Sequence, residues 1–318
     1  MPPPFIIDQA QQLLFDRQGF VVMPFLSKKQ IAALSDAFYT LQTTNIGDGF
    51  VSSTYSNDMA YKRRADRMIT DITLPSVAQY FKDYSVLGGA FLHKMPGANS
   101  SLQMHQDWSI VDEKKCVSVN LWTPLINTDE YNGTLWVLPG SQCTEAFFTI
   151  RAPTIRNFYD EHQELLLQNM VPLRVSAGHV VVINHSLLHY SAANYSEKIR
   201  IAVITGLLTQ NAQRIMHYQN PETTDDTIEL YAVKDDFLMS YDDFFKEIFE
   251  RPKNASLLET KKYTPASFSH KQMVQLINQM KTSCGYPATA VEQNLPAAIP
   301  PANTSWLKKL KNIFGKAK

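Results

Sequence analysis

Residues 179–208 read HVVVINHSLLHYSAANYSEKIRIAVITGLL. Two Val- and Ile-rich runs, 179–185 and 199–208, enclose a polar turn built on Asn194, Tyr195 and Ser196. Short β-branched runs bounded by turn residues are read as strands. Outward from this stretch the pattern repeats in VLGGAFLH (86–93), CVSVNLWTPL (116–125) and TLWVLPG (134–140). Strands at such spacing, with turn residues between them, predict a β-sandwich or barrel core over about 86–210. The expected class is therefore mainly β with helical additions.

Helical additions are expected at both ends of that core. Residues 8–18 and 27–43 carry helical apolar spacing. The second opens with Ser27 and Gln30 at capping-box distance and puts Ile31, Leu34, Phe38 and Leu41 on one face. GFVVMPFL between them predicts a short strand, and a third helix is expected over 74–84. Beyond residue 210 the chain reads as polar, aromatic and irregular, with acidic pairs at 225–226, 235–236 and 242–243. Residues 225–248 are read as a packed extension rather than a lid. A last helix is expected over 269–283, ended by Gly285. Residues 1–286 then form one domain, 287–304 a Pro/Ala-rich linker and 305–318 a basic amphipathic tail helix. No internal repeat is visible.

Composition narrows the classes. The chain has 318 residues, 44% of them hydrophobic and 19% charged, and no apolar stretch near the roughly 20 residues that span a bilayer. MPPPFIIDQAQQLLF lacks the basic start of a signal peptide. Three cysteines, Cys116, Cys143 and Cys284, are too few and too scattered for a disulfide framework, so a cytoplasmic setting is expected. The formal charge is zero, but the tail SWLKKLKNIFGKAK carries five lysines, which leaves the other 304 residues at −5. A body without a basic stripe argues against nucleic acid as a partner. In a helix, the tail would put Trp306, Leu307, Leu310, Ile313 and Phe314 on one face with lysines flanking it, a pattern that predicts peripheral membrane contact. Composition sets no oligomeric state.

The chemistry starts at His105–Gln106–Asp107. Residues i and i+2 of an extended segment face the same way, so an imidazole and a carboxylate can meet one ion. Two histidines and one carboxylate leave three octahedral positions open, which suits Fe(II), a chelating cosubstrate and O2. An HxD triplet alone is weak, since chance supplies about 0.5 of them in a chain with 8 His. It gains weight from His189, a third ligand, and Arg200, eleven residues later. A hairpin between them would place the Arg200 guanidinium one strand over, able to grip the far carboxylate of 2-oxoglutarate with two hydrogen bonds. His179, His185 and His189 share strand parity, so all three stay open as ligands. The step to Arg200 favours His189.

The segments MHQDW (104–108), NGTLWVLPGSQ (132–142), HYSAAN…R (189–200) and LLFDRQGFVVMPFLSKKQIAAL (13–34) resemble the phytanoyl-CoA dioxygenase family over roughly residues 10–210. The resemblance implies a double-stranded β-helix, or jelly-roll cupin-like, core. It implies Fe(II) held by His105, Asp107 and His189, and 2-oxoglutarate held by Arg200, with Lys94 and Trp122 as further cosubstrate neighbours. The chain departs from the family at His179, which follows Gly178 where relatives have Asp, and at Gln142, where they have His. Retention of Asp107 favours hydroxylation over halogenation. The implied reaction couples oxidative decarboxylation of 2-oxoglutarate to hydroxylation of an unactivated C–H bond in a small molecule, with a lipid or acyl group as the finer reading. Two rivals are a cupin-type isomerase or hydrolase using another metal, and a catalytically silent binding protein. Arg200 speaks against the first, because only a cosubstrate with a remote carboxylate needs it.

Overall fold

Asp8 accepts a hydrogen bond from the Gln11 amide (2.9 Å) and starts helix α1 (Gln9–Gln18), which Gly19 ends at φ +82. Only a residue without a side chain fits there, because a Cβ would lie 2.4 Å from Gln142 Oε1. Strand β1 (Phe20–Pro24) follows, then α2 (Lys28–Leu41). The expected capping box forms: the Gln30 side chain accepts from the Ser27 amide at 3.0 Å and Ser27 Oγ accepts from the Gln30 amide at 3.3 Å. The computed structural model describes residues 2–41, 47–144, 147, 149–223 and 226–284. Gly285, the expected linker 287–304 and the tail 305–318 lie outside the described residues.

Next come β2 (Phe50–Ser52), α3 (Met59–Tyr80), β3 (Tyr84–Lys94), β4 (Leu102–His105), β5 (Ser118–Pro124), β6 (Leu135–Val137), α4 (Gln163–Leu167) and β7 (Val171–Pro172). They are followed by β8 (His179–Asn184), β9 (His189–Ser191), β10 (Arg200–Thr209), β11 (Ile215–Gln219), β12 (Thr227–Ala232), α5 (Phe244–Glu247), β13 (Ser256–Lys262) and α6 (His270–Cys284). The helix expected at 74–84 begins much earlier, at an Asp58 cap, and carries Pro75 in its interior. Its buried stripe is Ala65, Ile69, Thr73 and Val77, spaced by four, and two small or polar members hide it from an apolar count. The segment after 210 is not irregular, because β11, β12 and β13 form a third antiparallel sheet. Strand β13, SLLETKK, is exposed along its whole length, so it lacks the alternation by which strands are recognised.

The core is a double-stranded β-helix of two antiparallel sheets. One has the order β1-β8-β5-β10-β3-β2 and the other β4-β9-β6-β7. Alternation assigns the two faces of the larger sheet. Val119 and Leu121 of β5, Val180 and Val182 of β8 and Leu207 of β10 pack outward against Phe5, Phe15, Val77 and Phe81. Further along the same face, Phe91, Ile201 and Val203 meet Leu34, Phe38, Ala65 and Ile69 of α2 and α3. The opposite parity, Trp122, Val181, Ile183 and Ala202, packs inward against Leu135, Val137 and Leu173 of the smaller sheet side. A sheet buried on both faces accounts for the nearly unbroken apolar runs that mark its strands in the sequence.

Candidate metal and cosubstrate site

His105 closes β4 and His189 opens β9, and the two are cross-strand partners. Their ring centroids lie 4.1 Å apart. In each ring Nδ1 faces a main-chain carbonyl, Gln103 O at 2.7 Å for His105 and Leu187 O at 2.9 Å for His189. A carbonyl only accepts, so Nδ1 carries the proton and Nε2 is left as the electron-pair donor, the tautomer a metal ligand needs.

Asp107 lies two residues past His105, on the same side. Gln106 turns the other way, and its side-chain amide donates to Phe147 O (2.9 Å) and Ser186 O (2.5 Å). Asp107 Oδ1 sits 3.9 Å from His105 Nε2. Asp107 Oδ2 accepts from Asn120 Nδ2 at 2.9 Å, and the Asp107 main-chain oxygen accepts from Arg151 Nε at 2.7 Å. Arg151 is in turn held by Glu113. Sequence reading missed these supports, because Asn120 and Arg151 carry no motif and meet Asp107 only through the fold. Among the described residues, one group of His, Cys, Asp or Glu side chains offers its ligand atoms within 4.8 Å of one another: His105, Asp107 and His189. Neither His179 nor His185 joins it. His179 opens β8, about 20 Å of extended chain from His185 at its other end. His185 is buried close enough to feel Asp107, and neither ring nitrogen has a partner among the described residues.

The charges are those of a site prepared for a cation. Burial and the neighbouring His189 push His105 down to about 4, against the opposing pull of Asp107. Burial pushes the Asp107 carboxyl up, but His185, His189, His105 and the Asn120 amide together hold it below its ordinary value. Burial also lowers His185, and takes His217 to about 4. The sign for stability follows. The unfolded chain takes up these protons as pH falls through about 6.5, while the folded metal-free chain resists until about 4. Its melting temperature should therefore drop steeply from pH 6.5 to 4, and a flat profile over that range would contradict the assigned environments.

Arg200 opens β10, on the inward parity of the larger sheet, and is 1% exposed. Its guanidinium lies 5.7 Å from the centre of the Trp122 ring. Its Nε and Nη1 have no hydrogen-bond partner among the described residues. Burial lowers it to about 9, so it remains charged at neutral pH. A buried cation with unmet donors and no ion pair among the described residues is poorly accounted for by packing alone and fits an anionic ligand.

The route between His189 and Arg200 differs from the expected hairpin. Strand β9 belongs to the smaller sheet and β10 to the larger, so residues 192–199 cross between sheets. Asn194 anchors the crossing, donating to Lys94 O (3.0 Å) and Lys198 O (2.7 Å). Lys94 pairs with Arg200 in the ladder, but its Nζ donates to Ser100 O (2.7 Å), Ser191 O (2.9 Å) and Ala192 O (2.6 Å). All three N–H bonds are thereby used, which leaves none for a cosubstrate. The structure makes Lys94 a clamp on the strands that carry the histidines. Lys94→Met should destabilise the fold by about 3 kcal/mol, measured by denaturant unfolding, because three buried carbonyls lose their donor. A change under 1 kcal/mol would count against the clamp.

Comparison with known proteins bears on the family and the fold. The family described as Phytanoyl-CoA dioxygenase (PhyH) matches residues 15–202. Phytanoyl-CoA dioxygenase 1 of Oryza sativa subsp. japonica is 24% identical over 255 residues, covering 64% of this chain and 89% of the relative. Phytanoyl-CoA dioxygenase of Arabidopsis thaliana is 30% identical over 122 residues, 37% of this chain and 42% of the relative. Among solved structures, the non-heme alpha ketoglutarate dependent carbocyclase SnoK from nogalamycin biosynthesis aligns with a TM-score of 0.50 at 18% identity, covering 65% of this chain and 86% of SnoK. That likeness bears on the fold alone.

Proposed function

Because the chain belongs to the phytanoyl-CoA dioxygenase family, and is thus a 2-oxoglutarate-dependent dioxygenase with an iron cofactor, we propose that His105, Asp107 and His189 hold the iron, that Arg200 holds the far carboxylate of 2-oxoglutarate, and that the reaction hydroxylates an unactivated C–H bond of a small molecule. The observation that carries this reading is Arg200, a buried, charged guanidinium with Nε and Nη1 unpartnered on the inward parity of the same core. The donor set fits Fe(II): two neutral imidazoles presenting Nε2 and one carboxylate, within 4.8 Å of one another. When bound, iron and 2-oxoglutarate supply oxidative decarboxylation to succinate and CO2, coupled to delivery of one oxygen atom of O2 to the substrate.

The chain's own part is orientation and charge. The Gln103 and Leu187 carbonyls fix both imidazole tautomers. The Asn120 amide holds one carboxylate oxygen of Asp107 and leaves the other turned toward His105. The Trp122 ring lies against the Arg200 guanidinium, whose burial keeps water from it. Water exclusion strengthens a two-bond grip on a carboxylate.

The finer reading, a lipid or acyl substrate met at a membrane surface, rests on the sequence pattern of 305–318, outside the described residues. No described helix is long and apolar enough to cross a membrane. Sedimentation with anionic liposomes, with and without residues 300–318, tests the membrane reading, and equal binding by both chains would remove it.

The test of the reaction class is succinate release by metal-controlled enzyme across a panel of lipids, amino acids and acyl thioesters. Succinate should form only with Fe(II), 2-oxoglutarate and O2 together. Turnover of the panel with Zn(II) or Mn(II) and no 2-oxoglutarate would favour the isomerase or hydrolase reading instead.

A further inference from the structure

Trp108, the residue after Asp107, begins an aromatic run beside the metal site. Its ring is parallel to that of Phe244, with centroids 6.2 Å apart and 8° between planes. Phe244 then meets Tyr55 at 4.6 Å, and Tyr55 also meets Phe245 at 5.2 Å and Phe50 at 6.4 Å. These rings come from three separate parts of the chain: β2 with the turn after it, the segment after β4, and α5. The α5 segment, expected to be a simple packed extension, instead supplies a wall beside the site.

The wall is held in place. Lys62 Nζ donates to Tyr241 O at 2.6 Å in a buried contact, fixing the approach to α5. Tyr241, Phe244 and Ile248 form one apolar cluster with Tyr55 and Trp108. On the other side, Ser53 Oγ accepts from the Phe91 amide at 3.1 Å and ties the Tyr55 turn to β3. The Tyr55 ring is therefore positioned, yet its hydroxyl makes no hydrogen bond among the described residues. It lies close enough to Asp107 to feel its charge. A phenol keeps its proton at neutral pH, so the hydroxyl is a donor. The side chains of His105 and Asp107 keep 30% and 23% of their surface, so the site is open to a molecule from outside.

We infer that Tyr55 is the substrate-anchoring donor of this site, and that the partly exposed Tyr55 and Trp108, backed by the buried Phe244, form the wall that holds a hydrophobic ring bearing a neutral hydrogen-bond acceptor. Rigid aromatic faces favour a flat apolar partner, which gains from offset stacking beyond the area it buries. A phenol with nothing to donate to inside the protein leaves one polar contact for the ligand to supply. The Asp107 carboxylate nearby disfavours a second anion, so the acceptor is an ether, carbonyl or hydroxyl oxygen. The inference rests on the iron and cosubstrate reading above, because it takes the ring to sit beside that centre.

The test uses full-length enzyme loaded with Fe(II) and 2-oxoglutarate without O2, titrated with two probes of equal shape, 2-methoxynaphthalene and 2-ethylnaphthalene. Only the ether oxygen of the first can accept a hydrogen bond. Wild-type protein should bind the ether about tenfold more tightly, as one buried hydrogen bond gives. Tyr55→Phe should bind both probes equally, and Phe244→Leu should weaken both by a similar factor while keeping the preference. A preference that survives in Tyr55→Phe, or a wild type that binds neither probe, would overturn the inference. Succinate release by the wild type without either probe, once O2 is admitted, reads the iron assignment separately. Its absence alongside an intact ether preference would count against the iron reading and leave the wall supported.

Discussion

Asp107→Ala should lower 2-oxoglutarate turnover by about 10³-fold or more, with the purified protein losing its iron on dialysis. Asp107 is the one carboxylate in the ligand group. Glu113, whose charge also reaches His185, is bound to Arg151 and cannot replace it. Without Asp107 the site offers two neutral imidazoles and no charge against Fe(II), and a loss of about 4 kcal/mol of transition-state stabilisation corresponds to about 10³ in rate. The fold should survive, since the variant removes a carboxyl that burial disfavours, strands only the Asn120 amide, and keeps the main-chain oxygen that Arg151 holds. Metal content and succinate release are measured together on metal-controlled protein. Normal turnover at normal iron content would sink the ligand assignment.

Arg200→Met should weaken 2-oxoglutarate binding by about 10²-fold, because two charge-assisted hydrogen bonds worth about 3 kcal/mol together are lost. The same variant should melt at a higher temperature than wild type when no 2-oxoglutarate is present. In the free protein the guanidinium is 1% exposed, has two unpartnered nitrogens, and lies in the ladder beside Lys94, whose ammonium is held well below its usual range by burial and by Arg200. Methionine fills similar volume against Trp122 without that penalty. Adding 2-oxoglutarate should raise the melting temperature of wild type and barely move the variant. Arg200→Lys should fall between, since a point charge cannot reproduce the two-bond fork. If the methionine variant binds 2-oxoglutarate as well as wild type, Arg200 is a structural residue and the cosubstrate is held elsewhere.

The strands of the core were legible because the larger sheet is covered on both faces, so β3, β5, β8 and β10 announce themselves as apolar runs. His105 and Asp107 were legible as a pair because i and i+2 of an extended segment lie on one side, whereas the step from His189 to Arg200 runs through a crossing between sheets and not through a local hairpin. What the sequence hid depends on contacts between distant residues. Asn120 reaches Asp107 from β5, and the Arg151–Glu113 pair supports the same residue from a loop. The family resemblance makes Lys94 a cosubstrate neighbour, and only its three carbonyl partners make it a clamp. The crossing at Asn194 read as a hairpin because a turn signal reports that the chain reverses, not which sheet receives it. The exposed strand β13 and the half-polar stripe of α3 lacked the apolar periodicity on which element assignment depends.

The central claim is that one iron and one 2-oxoglutarate share the space between His105, Asp107, His189 and Arg200. Anomalous diffraction at the iron edge, from crystals grown without O2 in the presence of Fe(II) and 2-oxoglutarate, tests it directly. The account predicts a single strong iron peak among the two histidine Nε2 atoms and an Asp107 oxygen, with a carboxylate of 2-oxoglutarate paired to Arg200. An iron peak held by other side chains, or 2-oxoglutarate bound away from Arg200, would contradict it.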